Sequence, residues 1–94
     1  MARLPAPAVV RLRPLLAELR GLPDLRERSP GTFTRRGAAF LHFHALAAGL
    51  VADVKADGTW LRYDVERAAG RRTLLRDVRR VLRGDTARLA GHPT

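Results

Sequence analysis

From residue 32 to residue 65 the chain reads TFTRRGAAFLHFHALAAGLVADVKADGTWLRYDV, a run in which apolar and polar positions alternate between compact turns. Alternation of period two places one set of side chains on each face of a sheet, so this stretch predicts an antiparallel meander. Asp57-Gly58 between two such runs is a strong hairpin signal and sets the register. Ala56 then faces Thr59, Val54 faces Leu61 and Ala52 faces Tyr63. A tight connection at Ala47-Ala48 sets Leu46 opposite Gly49 and brings Leu41 and Phe43 to the same apolar face. The opposite face is expected to read in rows: Phe40, Lys55 and Trp60; His42, Asp53 and Arg62; His44, Val51 and Asp64.

Helical spacing flanks this sheet. Leu12, Leu15, Leu16 and Leu19 form one stripe, which predicts a helix ending at Arg20 with Gly21 as its stop. Pro7 or Pro14 suits a first turn, and a helix that starts before Pro14 is expected to kink there. The segment from Leu22 to Gly31 reads as a connector with a turn at Ser29-Pro30-Gly31. Thr32 then opens the first strand, Phe33 points inward, and Arg35-Arg36-Gly37 turns a bulged hairpin. Leu74, Leu75, Val78, Val81 and Leu82 mark a second helix that starts between Glu66 and Arg71 and closes at Gly84. Two apolar stripes and one apolar sheet face are satisfied together if both helices pack on that face. The expected architecture is therefore α+β: a meander of three or four antiparallel strands, with an N-terminal and a C-terminal helix on one side. Residues 1–94 make one domain, with 1–6 and 85–94 loose or peripheral apart from one helical turn after Asp85.

Composition adds a bias to this frame. The formal net charge is +9, and of the 18 basic residues all but Lys55 are arginine. Such an excess suits a polyanionic partner, and it is equally what a GC-rich coding bias produces. The absence of cysteine excludes disulfides and thiolate metal sites. No apolar run reaches the length of a membrane span, and MARLPAPAVVRLRP breaks off before a signal-peptide core forms. A cytoplasmic protein with no membrane partner is expected.

Three candidate sites follow from these placements. Arg71, Arg72, Arg76, Arg79, Arg80 and Arg83 lie on the C-terminal helix, opposed there by Asp77 alone, and Arg35 and Arg36 lie at a hairpin tip. Together they could meet the phosphates of DNA or RNA. The plainer account is a solvated helix face. His42 and His44 project from one strand toward Asp53, with Asp64 as a fourth group, a set that would take a divalent transition metal. The alternative is a hydrogen-bonded row in which Arg62 claims Asp53; otherwise no cofactor is expected. Phe40, Val51, Trp60 and Arg62 on the uncovered sheet face would give a homodimer an apolar centre with a charged rim. No G-x-S-x-G turn and no glycine-rich phosphate loop occurs, so the chain reads as a binding or interaction module and not as an enzyme.

Leu22-Pro23-Asp24, then Thr32-Phe33, Gly37 and Phe40, follow a short N-terminal helix and precede a basic one. In this layout the chain resembles the MmcQ/YjbR-like family of small bacterial proteins, whereas FLHFH and GLVADVK lie outside that pattern. The resemblance implies the same helix and sheet order, and DNA binding.

Overall fold

The pairs expected for the Asp57-Gly58 hairpin are all present, from Ala56 opposite Thr59 to Val51 opposite Asp64. A computed structural model describes residues 4–94; Met1 to Arg3 of the expected N-terminal arm lie outside the described residues. Its elements in chain order are α1 (Ala6–Arg11), α2 (Arg13–Arg20), β1 (Leu25–Ser29), β2 (Thr32–Arg35), β3 (Ala38–Leu46), β4 (Gly49–Ala56), β5 (Thr59–Asp64), α3 (Ala68–Leu82) and β6 (His92–Pro93). The six strands form one antiparallel sheet in sequence order. The fold is α+β as expected, with six strands in place of three or four and three helices in place of two.

Local chemistry accounts for the central hairpins. Arg36-Gly37 and Asp57-Gly58 are two-residue turns with positive φ at both positions, 52° and 80° in the first and 49° and 78° in the second. That is the turn whose twist matches paired strands, and glycine adopts it without strain. Ala47-Ala48 joins β3 to β4 with Leu46 opposite Gly49, as the parity argument required.

The departures lie at the margins and at one bulge. The connector expected to lack regular structure contains β1, whose Leu25 and Glu27 face the helices while Arg26 pairs with Thr34 on the other side. An edge strand tolerates this density of charge because water reaches one side of it. Between β2 and β3, Phe33 pairs with Leu41 but Thr34 pairs with Ala39, so Phe40 is an extra residue. A bulge interrupts the alternation, and both Phe40 and Leu41 become buried, at 3% and 0% exposure. Phe40 therefore belongs to the core and not to the open face where it was expected.

The N-terminal helix is broken at Leu12, which is buried at the joint between α1 and α2, and Pro14 occupies the first turn of α2. This is the break that proline was expected to impose, set two residues earlier. Leu15, Leu16 and Leu19 of α2 join Leu74, Val78 and Val81 of α3 over Phe33, Leu41, Phe43, Ala52, Val54 and Tyr63. Leu4, within the expected arm, is buried as well.

Residues 85–94 form no helix after Asp85. They run back along the β5 edge, where Thr86 Oγ1 donates to Asp57 Oδ2 at 2.6 Å and Ala90 N–H donates to Asp77 Oδ2 at 2.6 Å. Gly91 lies against the Tyr63 ring so closely that a methyl group there would overlap it. The tail then pairs as β6, with His92 opposite Arg62. It ends at Thr94, whose N–H donates to the Trp60 carbonyl at 3.1 Å.

Candidate functional site

The sheet has two unlike faces. One lies under the three helices; the other is covered by no element among the described residues, and residues 85–94 lie at the sheet edge. Strand register places His42, Asp53, Arg62 and His92 in one row across that open face, with His44, Val51 and Asp64 in the next.

Asp53 is the centre of the row. It is 9% exposed, and Arg62 clamps it in a fork, Nε to Oδ1 at 2.9 Å and Nη2 to Oδ2 at 3.0 Å. His44 Nε2 lies 3.1 Å from the same Oδ2. Burial pushes the Asp53 carboxyl up, but the hydrogen bonds and charge of Arg62, with His44, outweigh it and hold the group below the usual carboxylate range. Arg62 is raised in turn by its hydrogen bond to Asp53. His42 is lowered, first by burial and then by the neighbouring His44, against a smaller pull from Asp53. A neutral imidazole is a flat aromatic ring, and His42 lies beside Trp60 with centroids 4.8 Å apart. The Lys55 ammonium, on the strand between them, stands 5.9 Å from the Trp60 centroid.

The expected metal set is thus brought together only in part. His42 and His44 are neighbours, with ring centroids 6.0 Å apart, and Asp53 is beside them. Asp64 is turned away, accepting from Glu66 N–H at 2.8 Å and standing 3.7 Å from Arg67. Among the described residues no group of three or more His, Cys, Asp or Glu is placed to hold a metal ion. Of the alternative row, the Arg62–Asp53 pair is present, with His44 from the next row and not His42 as the imidazole that meets Asp53, and a metal would have to displace Arg62.

The arginines of α3 divide by what they touch. Arg71 Nη1 donates to the Val65 and Glu66 carbonyls, both at 2.9 Å, and so secures the loop between β5 and α3. Arg80 turns toward the tail, 3.5 Å from the Arg88 carbonyl. Arg72, Arg76, Arg79 and Arg83 line one groove of about 320 Å³ together with Leu75. Within it Arg76 bonds Asp77 at 3.1 Å and Arg79 bonds Glu18 of α2 at 3.1 Å, whereas Arg72 and Arg83 make no ion pair among the described residues. Of the hairpin pair, Arg36 is exposed at the tip. Arg35 is instead half-buried on the core side, its guanidinium 5.9 Å above the Phe40 ring and its Nε without a hydrogen-bond partner.

Two basic residues escaped the sequence reading. Arg26 and Arg28 of β1 join Arg36 and Thr34 around a groove of about 420 Å³ at one end of the sheet. LRERS holds one apolar residue and three consecutive charges, so no alternation marked the strand, and the Pro30-Gly31 turn after it was the one signal present.

No helix among the described residues is long and apolar enough to cross a membrane. No protein family, curated protein or solved structure matches the chain.

Proposed function

We propose that this protein is a cytoplasmic, non-enzymatic module that binds nucleic acid through the outer face of α3. The observation that carries this reading is the single groove in which Arg72, Arg76, Arg79 and Arg83 converge along three turns of helix, where Glu18 pairs with Arg79 and Asp24 lies beside Arg79 and Arg83. Exposed pairs such as Arg79–Glu18 are worth little in water, so they yield readily to a phosphate. The resemblance to MmcQ/YjbR-like proteins read from the sequence points the same way. Titration of duplex DNA against salt tests it: affinity falls steeply as salt rises, because each neutralised phosphate releases counterions. Replacing Arg72 and Arg83 by Gln lowers the steepness of that dependence by about 2, roughly one for each phosphate that is no longer neutralised. Absence of binding at low salt ends the proposal.

A homodimer through the open sheet face is the second reading. It is favoured by Val51 and Trp60, which lie partly exposed with no element of the chain over them. With Phe40 in the core, this apolar centre is smaller than the sequence suggested. If Trp60 anchors such a dimer, Trp60→Ala weakens it by about 2 kcal/mol or more. Sedimentation of the wild type as a monomer at micromolar concentration removes the reading.

A further inference from the structure

The sheet has an aromatic step on the face its helices leave open. Trp60 and His42 pack on each other there across β4, ring centroids 4.8 Å apart and planes tilted by 36°, with Lys55 and Arg62 as neighbours. At the β1 end of the same face, Arg26, Arg28 and Arg36 surround the groove that Thr34 helps to line. The acidic groups cancel only part of this charge. Asp53 neutralises Arg62 and Asp64 is turned to the loop before α3; Asp24 is the one carboxylate at the groove, which leaves Lys55, Arg26, Arg28 and Arg36 in excess.

From this combination we propose that the open sheet face is a binding platform for single-stranded nucleic acid, in which a base stacks on the Trp60–His42 pair and the flanking phosphates run toward Arg26, Arg28 and Arg36. The inference rests on the nucleic-acid reading above but uses the opposite side of the molecule from α3. Three arguments select this occupant. An aromatic ring on a sheet can meet only the face of a base, and in a duplex those faces are stacked inside the helix, whereas an unpaired strand offers them. Strands lie about 4.8 Å apart, so β1 and β5 are separated by about 19 Å, a distance that an extended strand of a few nucleotides covers. A second copy of this chain would bring an equally basic face against this one across a two-fold axis, which like charge opposes.

The test uses the fact that Trp60 is the only tryptophan of the chain. Short oligothymidylate added at low salt quenches its emission, and the same titration gives an affinity. Trp60→Ala lowers that affinity by about tenfold, within the range of one base–aromatic stack, and Trp60→Phe restores most of it. Arg26→Gln with Arg36→Gln weakens oligothymidylate and leaves its stacking signal, which keeps the proposal testable should Trp60→Ala fail to fold. Arg72→Gln with Arg83→Gln weakens duplex binding and spares the oligonucleotide. Duplex binding without oligothymidylate binding overturns the platform and leaves the α3 reading intact; oligothymidylate binding with no duplex binding does the reverse. Unchanged emission on a bound oligonucleotide, or undiminished affinity in Trp60→Ala, also overturns it. So does a wild-type dimer that Trp60→Ala dissociates, since that assigns the face to a second copy.

Discussion

Asp77 and Asp53 lie on opposite faces of the same sheet, and β5 reaches both: Tyr63 turns to one and Arg62 to the other. Asp77 is fully buried, accepting from the Tyr63 hydroxyl at 2.8 Å, from Ala90 N–H at 2.6 Å and from Arg76 Nε at 3.1 Å. Burial and Asp77 together push the Tyr63 hydroxyl well above its ordinary value, so it remains a donor. Asp53 has a comparable number of partners, but they are side chains at a surface, and the Arg62 side chain is 41% exposed. The same residue type therefore does two jobs. Asp77 ties a strand, a helix and the tail together, and Asp53 organises the charges of a face that meets solvent.

The comparison can be broken most forcefully on the closed face. Phe33→Ala empties a fully buried aromatic site and is expected to cost about 3–5 kcal/mol in urea unfolding. Asp77→Ala comes next, at about 2–4 kcal/mol, because the buried Tyr63 hydroxyl is left unpaired away from water and the tail loses its bond from Ala90 N–H. Faster amide exchange confined to residues 85–94 at a smaller loss would show that Asp77 secures the tail alone.

On the open face the expected costs are smaller. Asp53→Ala loses about 1 kcal/mol, since Arg62 regains water when its partner leaves. A loss as large as that of Asp77→Ala would erase the distinction between the faces. The pH dependence follows the same groups. Asp53 is depressed in the fold, so its contribution is present above the unfolded value of about 3.9 and is lost as pH falls through the folded one. His42 is also depressed: the folded protein binds fewer protons than the unfolded chain below about pH 6.5, so stability rises with pH across that window. Carbon-detected titration of the His42 ring checks the sign, and a folded value above that of a free histidine would reverse it. Least of all, Arg72→Gln with Arg83→Gln is expected to leave stability within about 0.5 kcal/mol, so any loss of nucleic-acid affinity in that variant belongs to the interface.

The N-terminal leucine stripe, α3, and the register of β3, β4 and β5 from Leu41 onward are legible in the sequence. Their determinants are local: two-residue turns, period-two alternation and helical spacing act within a few residues, so Val54 had to face Leu61 and Asp53 had to face Arg62. The row of His42, Asp53 and Arg62 is legible for the same reason. Residues distant in sequence decided the rest. Phe40 alternates like its neighbours, and only the competition between β2 pairing and core packing turned it inward at a bulge. β1 exists because α2 gives Leu25 a core to cover and lets Arg20 pair with Glu27. The tail becomes β6 because Asp77, which helical spacing marks only as one acid among arginines, is buried where it can hold both Tyr63 and Ala90. Local rules determined which side chains share a face, and the tertiary structure decided which face would be left open, because burial is settled by what packs against a surface and not by the surface alone.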